Sequence, residues 1–347
     1  MAISDIKNLS AQELQTWLAT VGQKSYRSEQ IRQWIFKHQV LNFDEMENLP
    51  LELREQLKEQ FSVKTMDLHQ KQVSSDGTMK LAFRTADKKF IETVIIPKEN
   101  RMSICVSTQV GCAMGCTFCR TAKMGFIRNL SLGEILEQVI QANNLLKEIN
   151  RTITNVIFMG MGEPLQNFEN VHQTCKVLHD QSLFNLGRKK LTISTSGVIP
   201  KILELKDRQT PCSLALSLNG TNDEVRSKLM PINKRWPLDE LLAAVDYFLA
   251  DTKNYITFEY ILIKGITTTP QAAKELIKIA HRRRCKVNAI VLNPGDNPDL
   301  HAPNQTEIDE FLNIVRAGKV QIHLRTPRGQ DILAACGQLA IKQKKVA

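Results

Sequence analysis

Four cysteines fall within residues 105–119, CVSTQVGCAMGCTFC. Cys112, Cys116 and Cys119 are spaced C-x3-C-x2-C, with Phe118 directly before the last; Cys105 precedes them at the end of a strand-like run. Three thiolates on one tight loop can each take one iron of a cubane cluster and leave the fourth iron open. Electron-transfer clusters and structural zinc sites are instead closed by four protein ligands. An open iron can chelate the amino and carboxylate groups of S-adenosylmethionine (SAM), and one electron passed to its sulfonium then releases a 5′-deoxyadenosyl radical. The competing arrangement is a zinc knuckle with Cys105 as fourth ligand. The gap from 105 to 112 is long for a knuckle, and no His-rich partner loop follows.

Other residues suited to chemistry close later strand-like runs. In Gly160-Met161-Gly162-Glu163-Pro164 the glycines let backbone approach a ligand, and a carboxylate or carbonyl could meet SAM's amino group. Ser194 in LTISTSG, Ser217-Leu218-Asn219 in LALSLNG and Asn293 in IVLNPG offer polar groups for ribose, carboxylate or adenine, and suit strand-end turns as well. Glu92 interrupts the apolar run FIETVII and could point inward. Cys336, between small residues in AACGQLA, reads on its own as a buried helix cysteine. Cys175, Cys212 and Cys285 sit in core-like contexts and read as packing.

The elements that must position these groups fall into three regions. Residues 1–62 read as a helical accessory domain: Ser10 and Glu13 form a capping box, YRSEQIRQWIFKHQ follows, and Pro50 opens PLELREQLKEQF. Its Lys24, Arg27, Arg32 and Lys37 suit either RNA or a solvated face. Residues 63–104 alternate with period two around turns at Asp76-Gly77 and Asp87-Lys88, an antiparallel β extension. Residues 105–347 alternate strand and helix, which predicts a parallel sheet. Six such units predict an α/β fold of the open, partial TIM-like (β/α)6 type, with its site at the C-terminal strand ends. The tail adds a strand, a Pro327–Gly329 turn and a helix-prone segment bearing Cys336.

Composition bounds the partners. The chain has 347 residues, 42% hydrophobic and 24% charged, ordinary for a globular protein, and a formal net charge of +10 that suits a polyanion. Aromatics at 6% argue against a broad base-stacking platform. Arg120, Lys123, Arg128 and Arg325, near strand ends, are the expected phosphate contacts; His281 to Arg284 suits a helix C-terminus, and Lys342, Lys344 and Lys345 make a basic tail. No apolar run approaches a membrane span and no secretory leader is evident, so a cytoplasmic setting is expected, reducing enough for reactive thiols.

Taken together, these motifs resemble the RlmN/Cfr family of radical-SAM RNA adenine methyltransferases almost end to end. The resemblance rests on YRSEQIRQWIF, FIETVIIP, CVSTQVGCAMGCTFC, FMGMGEP, LTISTSG, RSKLMPIN and DILAACGQL. It implies a 4Fe-4S cluster on Cys112, Cys116 and Cys119, and SAM contacts at Gly162, Glu163, Ser194, Ser217, Leu218, Asn219 and Asn293. It also implies an active pair, Cys105 and Cys336, with Glu92 as proton acceptor. Asn219 stands where relatives often have His, and Gln330 and Leu333 stand in place of acidic residues.

The implied reaction uses two SAM molecules per turnover. Cys336 takes a methyl group, a deoxyadenosyl radical abstracts hydrogen from it, and the methylene radical adds to the electron-poor C2 of an adenosine. Cys105 then resolves the covalent RNA–protein intermediate, leaving a Cys105–Cys336 disulfide. The implied partners are 23S rRNA, tRNA and an electron donor such as flavodoxin or ferredoxin, with no membrane and a monomeric chain. Three rivals predict different behaviour: C8 methylation of the same rRNA base, a non-catalytic zinc-containing RNA-binding module, and a glycyl-radical-activating enzyme that has no use for Cys336.

Overall fold

The computed structural model describes residues 3–293, 295 and 297–340; the basic tail of Lys342, Lys344 and Lys345 lies outside them. Ten strands form one continuous sheet, ordered in space as they are in the chain. They are β1 (Asp67–Val73), β2 (Met79–Arg84), β3 (Phe90–Lys98), β4 (Arg101–Cys105) and β5 (Asn155–Phe158). β6 (Leu191–Thr195), β7 (Ser213–Ser217), β8 (Ile256–Leu262), β9 (Cys285–Val291) and β10 (Ile322–Arg325) complete it. β1 to β4 pair antiparallel, and β4 to β10 pair parallel. The antiparallel extension is therefore continuous with the parallel sheet and shares β4 with it.

Pattern explains the pairing. The central parallel strands bury Val156, Phe158, Ile193, Leu216, Phe258 and Val287, as strands covered on both faces must. The turns of the extension contain Gly77 (φ 81°) and Lys88 (φ 61°) in the left-handed region. α4 (Leu132–Lys147) follows the cysteine loop, started by a Ser131–Glu134 capping box.

The tail meets one expectation and departs from another. Its strand, β10, adds a seventh parallel strand to the six expected, because Ile322 pairs with buried Val287. The segment around Cys336 is not helical. Gly329 (φ 63°), Leu333 (φ 53°) and Gly337 (φ 80°) all take left-handed conformations, so only a 3₁₀ turn, Gln330–Ile332, forms.

The N-terminal unit comprises α1 (Ala11–Thr20), α2 (Arg27–Gln33) and α3 (Leu51–Gln60). The Ser10–Glu13 capping box is present, and α2 runs into a π turn, Trp34–His38. A buried ionic network docks this unit. Lys7, 1% exposed, pairs with Asp5 at 2.8 Å and with Glu137 of α4 at 3.0 Å, and donates to the Val63 carbonyl. Glu137 also accepts the backbone N–H groups of Thr65 and Met66. Removing one partner of such a set costs about 3–5 kcal/mol. No helix among the described residues is long and apolar enough to cross a membrane.

Candidate active site

Two cavities meet at Cys336. The first, about 190 Å³, lies at the C-terminal ends of the parallel strands and is lined by Cys112, Cys116 and Cys119, by Gly162 and Glu163, and by Ser194, Ser217, Asn219 and Asn293. The second, about 180 Å³, is lined by Cys105, Glu259, Asn293, Arg325 and Arg328. Cys336 lines both. Val94 and Ile96 of β3 line the second cavity opposite Arg325 of β10, so the sheet curls until strands near its two edges face each other. A larger cleft of about 1330 Å³ lies at the opposite end of the strands, beside α1, and contains no cysteine.

The cysteine loop is pinned by a short hairpin, Gln109–Gly111 against Phe126–Asn129. Gly111 (φ 76°) lies so close to the Gly125 carbonyl that any Cβ would collide with it. Burial pushes the Cys112 thiol up to about 12 and raises Cys116 further; neighbouring thiols add to both effects, and Arg226 partly offsets the second. Three thiols lining one cavity fit a strongly cationic centre, such as the irons of a cluster, that favours the thiolate forms Cys112 and Cys116 otherwise resist. Among the described residues, no three His, Cys, Asp or Glu side chains are placed to share a single metal ion. Cys105, which a zinc knuckle would need, lines the second cavity instead.

Glu163 lines the first cavity and also ties the fold together. Its Oε1 accepts from Leu165 N–H (3.0 Å) and the Thr195 hydroxyl (2.8 Å), and its Oε2 from Ser196 N–H and hydroxyl (both 2.8 Å). Burial raises its carboxyl, and these donors oppose the rise. The carboxylate thus joins the end of β5 to the end of β6. Gly162 (φ 101°) abuts Gln109, whose Oε1 accepts the Glu163 N–H. Leu218 packs in the hydrophobic core and does not line the first cavity. Asn219 adopts the left-handed conformation (φ 52°) and accepts the Ile261 N–H, keeping its side chain at the cavity wall.

Cys336 is exposed to the cavity although protein surrounds it. Burial raises its thiol, Glu259 adds to the rise, and Arg325 opposes it. Burial likewise pushes Cys105 up to about 12, with Cys336 adding and Arg325 opposing. Glu92 stands apart from both: it is 3% exposed, lies 3.2 Å from Lys80 Nζ, and lines neither cavity. Burial raises its carboxyl and Lys80 partly offsets this.

The basic residues divide by their partners. Arg128 is committed to Asp87 and Glu134 at 2.7–2.9 Å, which ties the extension to α4 and corrects its assignment as a phosphate contact. Arg325 is exposed and has no ion-pair partner among the described residues. Arg283 pairs with Asp246 and Arg284 donates to the Leu249 carbonyl, both structural tasks.

Three important residues escaped the sequence reading. Glu259, buried on β8 and bonded to Asn288 at 2.9 Å, faces both cavities; a carboxylate within ITFEYILIKG is the same signal that singled out Glu92. Lys80 on β2 also donates to the Leu333 carbonyl. Arg226, fully buried within RSKLMPIN, donates to the carbonyls of Ser196 and Leu218 and to Asn233, binding the ends of β6 and β7 together.

Comparison with known proteins agrees with this architecture. Residues 4–63 match the ribosomal RNA large subunit methyltransferase N-terminal domain, and residues 106–268 match the radical SAM superfamily. The dual-specificity RNA methyltransferase RlmN of Geotalea uraniireducens is 41% identical over 335 residues, 96% of each chain. The chain belongs to the RlmN family. A probable RlmN of Bacillus subtilis is 38% identical, over 98% of this chain and 94% of its own. A crystal structure of a radical SAM methyltransferase from Sphaerobacter thermophilus superposes with a TM-score of 0.93 at 39% identity, covering 96% of this chain and 98% of its own. RlmN-family membership makes this chain a radical-SAM RNA methyltransferase with an iron–sulfur cluster and SAM as its cofactors.

Proposed function

We propose that this enzyme methylates C2 of adenosine in 23S rRNA and tRNA in the cytoplasm, through a one-carbon unit carried on Cys336. The observation that carries the reading is the position of Cys336: one sulfur borders the three-cysteine cavity on one side and Cys105 on the other. When bound, the cluster on Cys112, Cys116 and Cys119 together with SAM supplies a methyl group and, on one-electron reduction, a hydrogen-abstracting radical. The residues of the chain do the rest. Cys336 exchanges its thiol proton for the methyl group, and later bonds its methylene carbon to the adenine. Cys105 gives up its thiol proton and attacks the Cys336 sulfur, forming the disulfide and breaking the sulfur–carbon bond to the RNA; the released carbon keeps the bonding pair and takes a proton, completing the methyl group. Glu92 lines neither cavity, and a water it orders takes the ring proton on its behalf. Arg325 holds a phosphate beside the target base, which must leave its stack to enter. The donor of the reducing electron is a carrier of the flavodoxin or ferredoxin class.

C2 is favoured over C8 by the RlmN names of the similar proteins. Anaerobic reconstitution with iron, sulfide, SAM, dithionite and unmodified RNA, followed by nucleoside mapping, tests the assignment. 2-Methyladenosine is expected; 8-methyladenosine, or a protein that binds one zinc and no iron, overturns it.

A further inference from the structure

Asn293, at the end of β9, makes two side-chain hydrogen bonds that do not involve a ligand. Its Nδ2 donates to the Cys336 carbonyl at 3.0 Å, and its Oδ1 accepts from Gln330 Nε2 at 2.8 Å. Gln330 and Cys336 lie on the same segment, and between them the chain coils tightly: Leu333 N–H donates to the Gln330 carbonyl at 3.1 Å and Ala334 N–H to Gly329 at 2.8 Å. Both ends of this coil therefore return to one buried amide, 7% exposed. An amide carries two donor hydrogens and two acceptor lone pairs, so Asn293 keeps one of each for a ligand in the first cavity, whose wall it shares with Cys336. The same side chain can touch SAM and hold the methyl acceptor.

We propose that Gln330, acting through Asn293, is a positioning residue that sets the Cys336 sulfur in register with the SAM cavity. The inference rests on the reading of Cys336 as methyl acceptor. An amide has two unlike ends, and a donor at position 330 selects the orientation that aims Nδ2 at the Cys336 carbonyl. Without that donor nothing at position 330 fixes which end of the amide meets the carbonyl. Displacement at a methyl group needs the attacking sulfur in line with the leaving sulfonium, and a 1 Å misplacement costs on the order of a hundredfold in rate.

Gln330→Met keeps the length of the side chain but removes the donor, and Gln330→Ala removes the clamp. Three readouts separate positioning from folding: hydrogen exchange of the 331–337 amides in cluster-free protein, methyl gain at Cys336 by intact mass, and 5′-deoxyadenosine formed with dithionite. We expect faster exchange in both variants, methyl gain slowed at least about tenfold, and unchanged deoxyadenosine formation. Wild-type exchange and methyl gain in Gln330→Met overturn the proposal, as does a loss of deoxyadenosine formation in step with the loss of methyl gain, which marks a folding defect. A wild-type chain that modifies RNA without ever gaining a methyl at Cys336 sinks the acceptor reading instead, and with it the clamp.

Discussion

Glu163→Gln tests whether the carboxylate of the Gly-Glu-Pro turn serves the fold or the ligand. Four donors surround it, two of them backbone N–H groups, one on each oxygen. Gln replaces one oxygen with NH2, and in either orientation that NH2 meets one of the two backbone N–H groups. The hydroxyl on the same side can rotate to accept, but the N–H cannot, and a buried unsatisfied donor costs about 1–3 kcal/mol. Loss of a buried charge recovers part of this, since burial already raises the carboxyl, and the expected net loss is about 1–2 kcal/mol. Glu163→Ala leaves both N–H groups without acceptors, for roughly twice the loss. Urea unfolding of SAM-free protein measures both as a lower midpoint at unchanged slope. If Glu163→Gln unfolds at the wild-type midpoint while losing SAM affinity, the ring of donors is not what the carboxylate is for.

Three further outcomes follow from the same geometry. Cys105→Ala removes the sulfur that releases the product, so the chain should accumulate a covalent adduct with RNA, visible as a nuclease-sensitive band on a denaturing gel; free protein and RNA after turnover count against its role. Gly162→Ala places a Cβ 2.6 Å from the Gln109 side chain at φ 101°, a strained conformation expected to destabilise by about 1–3 kcal/mol in the same unfolding assay; a neutral effect refutes the close packing of strand end and cysteine hairpin. Asp76 is subject to burial, which raises its carboxyl, but bonds from the Thr78 and Gly329 N–H groups outweigh it and hold the group at about 2. A depressed carboxyl stabilises above its unfolded value of 3.8 and loses that contribution as pH falls towards 2. Amide protection at Gly329 should therefore fall over that range in the wild type, and Asp76→Asn should remove the pH dependence; protection that stays flat in the wild type argues that Asp76 does not anchor this segment.

Much of the fold was legible because its signals are local. Ser131 and Glu134 announce α4, Gly77 and Lys88 mark the turns of the extension, and apolar runs such as ITFEYIL specify parallel strands covered on both faces. The three-cysteine loop was legible for the same reason, since its spacing is a local fact. The partners of each polar group were not. Glu163 and Arg128 look like ligand contacts in one dimension, yet their partners come from neighbouring strands and helices. Nothing adjacent to Glu163 indicates that Ser196 will consume one of its oxygens. Cys336 was misjudged by its own context because AACGQLA has helix-forming composition, and the bonds that override it come from distant residues. Glu259 went unnoticed although a lone carboxylate in an apolar strand was already the argument for Glu92.

The antiparallel extension has a mechanical reason to exist. A sheet of strands β4 to β10 alone would leave the Cys336 segment hanging from an edge strand, where a nucleophile cannot be held to a fraction of an ångström. Curling brings β1 and β2 round to meet it. Ser74 and Ser75, in the turn between them, donate to Asp331 (2.6 and 3.2 Å), Asp76 accepts Gly329 N–H at 3.0 Å, and Lys80 donates to the Leu333 carbonyl. On the far side, Arg120 N–H donates to the Gly337 carbonyl and Thr121 to that of Leu339, tying the segment to the cysteine loop. The segment is thus a strap across the open side of the barrel, fixed to the extension at one end and to the cluster loop at the other, with Asn293 at its middle. Such a strap holds one sulfur against two cavities, which an unanchored tail could not do.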